Sequence, residues 1–296
     1  MKMKTIKLFA LAAMFAASTA AQALPCGSRA DGEPAARSLK ADSGTYAPDT
    51  IRNNKIITNA QMIGVGAVNI LDTYLSPEKY SGTELRYISH TLRERNDSRW
   101  SRMIIHQGDM SYSKNRTGNG TYIAGDYTFS YGVHYNWNFF DGSLNIKAGA
   151  QADVSVGFLY NTRNSNNPAQ ARMSVNISPS AAATYRFRLW QRNYSLRYEL
   201  SVPLIGMMFS PNYGQSYYEI FSRDNYDHNI VPTTIGSTPS LRQMLTFDFS
   251  LGRTTLRLGY LGDFRQAKVN NLKYHSYSNM LVIGIVRQFN ITNIVP

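Results

Sequence analysis

From Tyr127 to Phe139 the chain alternates without interruption. Tyr127, Phe129, Tyr131, Val133, Tyr135, Trp137 and Phe139 hold the odd positions, and Asp126, Thr128, Ser130, Gly132, His134, Asn136 and Asn138 hold the even ones. A period of two marks a strand with one apolar and one polar face. Asp141-Gly142 follows, a strong hairpin signal, and alternation resumes from Leu144 to Tyr160. With Asp141 and Gly142 as the turn, Trp137 faces Ile146, Tyr135 faces Ala148, Ser130 faces Asp153 and Asn136 faces Lys147. Both apolar faces then fall on one side, as a correct register requires. A turn at Gln191-Arg192 sets Leu189 against Tyr194, Phe187 against Leu196 and Tyr185 against Tyr198, with Arg186, Arg188, Arg197 and Glu199 on the other face. A turn at Gly252-Arg253 sets Phe249 against Leu256, Phe247 against Leu258, Asp248 against Arg257 and Arg242 against Asp263, and opposite charges directly across a strand pair stabilise it. Thr83–Arg95 and Ser98–Tyr112 form a hairpin around Asn96-Asp97. A first strand spans Asn59–Leu71, its Gly64 and Gly66 facing a crowded interior, and a last strand spans His275–Phe289. The pattern predicts ten strands. Short turns near 96, 141, 191 and 252 alternate with longer connections at 72–82, 113–120, 161–170, 210–240 and 267–274.

Lipid offers no hydrogen bonds, so a membrane strand must satisfy its backbone within a closed sheet. Apolar-out, polar-in alternation with short turns at one end and long loops at the other is the pattern of a transmembrane antiparallel up-and-down β-barrel. We read residues 57–290 as an all-β barrel of ten strands, or twelve if Tyr213–Phe221 supplies an extra hairpin. Trp100, Trp137 and Trp190, the three tryptophans of the chain, all stand beside predicted short turns. Tryptophan favours the membrane interface, so they mark a periplasmic girdle. A soluble barrel would also alternate, but it has no need of such long strands.

The N-terminus supplies the address. Lys2, Lys4 and Lys7 precede an apolar run, Leu8–Ala17, and small residues end at Ala21-Gln22-Ala23, the layout of a secretory signal peptide over 1–23, cut before Leu24. Residues 24–56 are polar, without period, and read as a periplasmic leader. Cys26, the single cysteine, follows Pro25 rather than the small residue that lipidation needs. Later apolar runs such as Met62–Val68 and Met280–Val286 are far shorter than a helical membrane span, about 20 residues. Removing the three signal lysines leaves 28 basic and 19 acidic residues, net +9. No Lys/Arg run exceeds two residues, so there is no basic stripe for nucleic acid; the charge suits anionic lipid and lipopolysaccharide. Met280–Phe289 ends in an aromatic residue with Gly284 before it and looks like the terminal-strand signal read by barrel-insertion machinery, although Arg287 and the extension Asn290–Pro296 depart from it.

Pro203-Leu204-Ile205-Gly206-Met207-Met208-Phe209-Ser210-Pro211-Asn212-Tyr213-Gly214-Gln215-Ser216-Tyr217-Tyr218-Glu219-Ile220-Phe221 resembles the most recognisable stretch of a family of uncharacterised outer-membrane proteins of the Bacteroides group. Asn69–Ser76 followed by Tyr80-Ser81-Gly82 resembles that family's opening. The resemblance spans roughly 60–290 and implies an outer-membrane barrel in a Gram-negative cell, and no activity.

Candidate chemistry is sparse. His90, His106, His134, His228 and His275 show no metal-binding spacing, and there is no phosphate-binding glycine loop, so neither metal nor cofactor is predicted. Ser130, His134 and Asp153 share a face, but Ser130 and His134 stand about 13 Å apart on one strand, too far for a nucleophile and its base. Asp224, Asp227 and His228 resemble the composition of an omptin-type rim without its spacing. Asp126, His134, Asp153, Arg186, Arg197, Glu199, Arg242, Asp248, Arg257 and Asp263 are the polar lumen candidates. Tyr213, Gln215, Tyr217, Tyr218, Glu219 and Phe221 are ligand or lid candidates, with Tyr213–Phe221 folding over the mouth and Asp224–Pro239 solvated. The expectation is a non-enzymatic barrel serving as a narrow solute passage, a surface binder of an unidentified small molecule or a structural element. The alternative is a lipase or protease with its site at the extracellular rim.

Overall fold

The computed structural model describes residues 53–293, apart from 166, 227 and 253. The signal sequence, most of the leader, Cys26 and Asp227 lie outside the described residues. The elements are β1 (Asn53–Asp72), β2 (Ser76–Arg95), β3 (Ser98–Asn115), β4 (Thr121–Phe139), β5 (Leu144–Asn161), β6 (Ala169–Leu189), β7 (Arg192–Ser201), β8 (Ile205–Phe209), α1 (Tyr217–Ser222), β9 (Ile230–Thr234), β10 (Leu241–Leu251), β11 (Thr254–Val269) and β12 (Leu272–Asn293). Antiparallel pairing runs β1 to β7 in order, then β10, β11, β12 and back to β1, closing a ten-stranded barrel. The closing seam is continuous from Asn53↔Asn293 to Asp72↔Tyr274. β1 thus starts inside the stretch read as leader.

The remaining strands, β8 and β9, do not enlarge the barrel. β8 continues β7 along β6, with Ser180↔Ser201 followed by Ile177↔Ile205. β9 pairs with β8 as β10 pairs with β7. The seventh and eighth barrel strands are therefore each broken in two, at 202–204 and 235–240. Pro203 and Pro239 lie in these breaks, where a residue without an N–H cannot serve the ladder. This corrects two expectations: there is no twelve-stranded barrel, and Asp224–Pro239 is not wholly solvated, because Ile230–Thr234 is a strand with Thr233 buried.

The β4–β5 register matches the predicted one, with Trp137↔Ile146 and Ser130↔Asp153, and so does β10–β11, with Asp248↔Arg257. The β6–β7 hairpin differs. Its turn is Trp190-Gln191, both at positive φ (46° and 62°), so Phe187 faces Tyr194 and Tyr185 faces Leu196. A two-residue turn of this hand matches the strand twist, and the two-residue slip leaves every side chain on its predicted face. Two connections expected to be long are tight: 73–75 and Asn270-Asn271. Asn270 and Asn271 both take positive φ (50° and 60°), which asparagine tolerates. Short and long connections therefore do not alternate strictly.

The outer surface is apolar around the circumference, with Val65, Leu85, Tyr131, Val154, Ile177, Leu245, Leu258 and Ile283 all exposed. The first residue of β1, the last of β12 and the turns near 96, 141, 190 and 252 share one end, here the terminal end; the tight turns at 73–75 and Asn270-Asn271 lie with 210–229 at the other, the loop end. Near the terminal end Tyr185, Phe187, Tyr194, Phe247 and Phe249 stack in a row with ring centroids 5.6–6.1 Å apart. Trp100, Tyr135 and Trp137 form a second aromatic group at the same end, on β3 and β4. This is the aromatic girdle of a membrane-spanning barrel. β4 has 19 residues, about 48 Å at the usual rise and a 40° tilt, against an apolar band of about 25 Å.

Candidate functional site: the lumen and its lid

Inward positions carry a layered filling. In the terminal half Met62, Leu92, Met103, Met244, Leu261 and Met280 belong to one buried apolar cluster. Gly64 makes room for it: a Cβ there would stand 2.8 Å from Met280 Sδ, so the crowded interior predicted for this glycine is present. On the facing wall His134, Lys147, Ser180, Arg197, Glu199 and Arg242 close around a void of about 10 Å³, room for a single water at most. A second apolar cluster, built from Val68, Ile70, Leu75, Tyr80, Tyr122 and Leu159, sits at the loop end, with Tyr80 and Tyr122 stacked at 3.6 Å.

Charged networks tie these layers together. Arg86 binds Glu84 at 2.6 Å, Asp263 at 2.5 Å and Asp109 at 3.3 Å. Arg265 binds Asp263 at 2.9 Å and Asp126 at 3.0 Å. Asp248 accepts two bonds from Arg257, at 2.6 and 2.7 Å, which is the cross-strand pair expected from the sequence. Arg242 and Asp263 are register partners as predicted, but they make no ion pair among the described residues, because Arg86 and Arg265 occupy Asp263. Glu199 is held by Arg197 and lies 3.1 Å from His90. Of the predicted lumen residues, Arg186 is exposed at the terminal end and donates to the Gly142 carbonyl; the others are buried or half-buried.

Ser130 and His134 do not meet. His134 Nε2 lies 2.7 Å from Ser180 Oγ instead, a pairing across two strands that no sequence spacing reveals. His134 Nδ1 has no hydrogen-bond partner, so no acid orients the ring as a general base requires.

Between the two apolar clusters lies a cavity of about 140 Å³. Its walls include Asp126, Thr128, Ser130, Gln151, Asp153, Arg172, Asn176, Arg242, Asp263, Arg265 and Tyr274, and, at the strand breaks, Pro203, Thr238 and Ser240. Toward the loop end the Arg172 guanidinium lies over the Tyr274 ring, 3.0 Å from its centroid.

The segment 210–229 is tied down at this end. Ser216 and Glu219 form a reciprocal capping box on α1, which satisfies two of the helix's free N–H groups. Tyr74 Oη donates to the Gln215 carbonyl at 2.9 Å, and the Ala171 N–H donates to Tyr217 Oη at 2.7 Å. Burial pushes the Tyr217 phenol up to about 12, against a weaker opposing effect from that N–H. Asn270 Nδ2 donates to the carbonyls of Ser210 and His228. Of the lid candidates, Gln215 is buried, Tyr217 and Glu219 are half-buried, and Tyr213, Tyr218 and Phe221 are exposed. The residue that anchors the helix, Ile220, is fully buried; it was not among the candidates, and its i, i+3 spacing to Tyr217 is the signal that marks it. Asp224 and His228 are exposed at positive φ.

A closed ten-stranded antiparallel barrel with a girdled apolar exterior and a polar, layered lumen defines the class. Within that class, the chain belongs to the family described as protein of unknown function (DUF3316), whose model matches residues 6–294. No curated protein is significantly similar to it in sequence. Among solved structures, the transport unit of the autotransporter AIDA-I from Escherichia coli is similar at 7% identity and a TM-score of 0.41, over 82% of this chain and 92% of that one. The outer membrane protease OmpT from Escherichia coli is similar at 7% identity and 0.39, over 83% and 99%. Neisserial surface protein A is similar at 10% and 0.32, over 77% and 96%. The likeness is one of barrel architecture, and the strand pairing itself establishes the closure.

Proposed function

We propose that the protein is exported by its N-terminal signal peptide to the outer membrane of a Gram-negative bacterium, the Bacteroides group being the lineage that Pro203–Phe221 points to. There it acts without catalysis, holding a small solute in the loop-side half of its lumen. The lipid-facing belt and basic balance suit a bilayer carrying lipopolysaccharide. The observation that carries the reading is the asymmetry of the lumen: the terminal half is filled by the methionine cluster and its charged facing wall, while the loop half retains a polar cavity of about 140 Å³. A barrel filled in this way is a container rather than a pore, and open aqueous channels belong to far wider barrels of about 16 strands. The segment 210–229 is its lid.

Accessibility tests this. In a Cys26→Ala background, Ser130→Cys places one thiol on the cavity wall. On intact cells a membrane-impermeant maleimide should label it at least about tenfold faster when 213–221 is deleted, with heat-modifiable gel mobility showing that the barrel still forms. Equal labelling with and without the lid refutes the lid. Labelling only after the periplasm is opened refutes the outward-facing cavity.

A further inference from the structure

The buried charges of the lumen are matched almost throughout. Arg86, Arg265, Arg257, Arg197 and Lys147 each lie within ion-pair distance of a carboxylate. Two groups lining the cavity have no such match among the described residues. Arg242, on β10, keeps Nε and Nη2 out of solvent and without a hydrogen-bond partner, and its register partner Asp263 is taken by two other arginines. Asp153, on β5, accepts from Gln151 Nε2 at 2.7 Å and from Ser178 Oγ, both neutral donors. Arg242 and Asp153 line the same cavity, yet they make no ion pair with each other among the described residues.

Guanidinium donors held out of solvent without a partner carry a desolvation cost. Opposite charges left unmatched across one cavity are complementary to a molecule carrying both. A simple anion would satisfy Arg242 and be repelled by Asp153; a simple amine would do the reverse. We propose that the cavity takes a small free amino acid as its zwitterion, with its carboxylate on Arg242, its ammonium group on Asp153 and an apolar side chain toward Ile105, Met208 and Ala267. The volume, about 140 Å³, is close to that of an engineered cavity that holds benzene, about 150 Å³, and limits the ligand to the smaller amino acids. This assignment rests on the solute-binding reading above.

Calorimetry on the refolded barrel with glycine, alanine and valine, and with 3-methylbutanoate and isobutylamine as the two singly charged counterparts of valine, decides it. At least one amino acid should bind, and valine should bind about tenfold or more tighter than either counterpart, as expected for loss of one charged hydrogen bond. Arg242→Met should bring isobutylamine level with valine, and Asp153→Asn should do the same for 3-methylbutanoate. A counterpart that matches valine on the unaltered protein overturns the assignment, and that comparison needs no variant to fold. If no amino acid binds while the maleimide result still shows a lidded cavity, the zwitterion assignment falls and the solute-binding reading stands. If labelling is independent of the lid, the reading itself falls.

Discussion

Asp248 and Arg257 are neighbours on one face of one hairpin and bond each other directly. Arg242 and Asp263 are neighbours in the same register, yet they do not bond each other. Asp263 is contested by Arg86 from β2 and by Arg265 on its own strand, and contacts across a lumen leave no mark on sequence spacing. The two cases predict different responses to substitution. Asp248 and Arg257 hold each other bidentately, with side chains 12% and 5% exposed. Asp248→Ala leaves a buried cation without its partner, a loss of about 3–5 kcal/mol for such a pair. Asp248→Leu with Arg257→Leu should recover part of that loss, because neither charge is then stranded. Urea unfolding of the refolded barrel, followed by tryptophan fluorescence, measures both. A double variant as unstable as the sum of its singles would show that the pair is uncoupled.

Among the elements, the hairpins with period-two flanks were readable because one-sided burial fixes strand faces even where a turn is misplaced: the Trp190-Gln191 turn shifted the β6–β7 register by two, and Arg197 and Glu199 still face inward. The tight connections at 73–75 and Asn270-Asn271 were hidden by polarity. Ser76–Lys79 reads as loop, but a strand that projects past the lipid pairs its backbone in water and needs no apolar face there. The face assignment is testable at mid-strand. Val133→Arg puts a charge toward lipid and should destabilise the barrel by about 2–4 kcal/mol; Ser130→Arg, on the lumen face, should cost less, with folded fraction by gel mobility as the readout. Equal losses would reverse the assigned faces. The lid is an element whose docking the sequence showed only as misplaced aromatics. Ile220→Asp should release α1, so that chymotrypsin cuts within 217–222 faster while the barrel persists. Docking also depends on pH. The Tyr217 phenol is raised from 10 to about 12, so its contribution is complete below pH 10 and is lost as pH rises from 10 through 12. Lid cleavage should therefore accelerate over that interval in the unaltered protein and accelerate less in Tyr217→Phe, where Tyr74, which donates to the Gln215 carbonyl, is the docking phenol that remains to titrate.

For the molecule as a whole, ten strands set a circumference too small to remain open once side chains of ordinary size point inward, and the order of those side chains along the axis sets what the barrel can do. The methionine cluster and the wall of His134, Lys147, Arg197 and Glu199 block the terminal half; the lid and the Tyr80–Tyr122 cluster cover the loop half; the cavity lies between. Two obstructions in series make a specific prediction for ion flow, because the smaller aperture governs the total. Deleting 213–221 alone should leave single-channel conductance in planar bilayers near that of the intact barrel, since the methionine cluster still closes the path. Replacing Met62, Met244 and Met280 by alanine should also change it little while the lid is in place. Each truncation removes a buried side chain at about 2–5 kcal/mol, so folding is checked first by gel mobility. Only the combination should open a conducting path. A large conductance from the lid deletion alone would show that the terminal half is passable and that the barrel is a gated channel instead of a container.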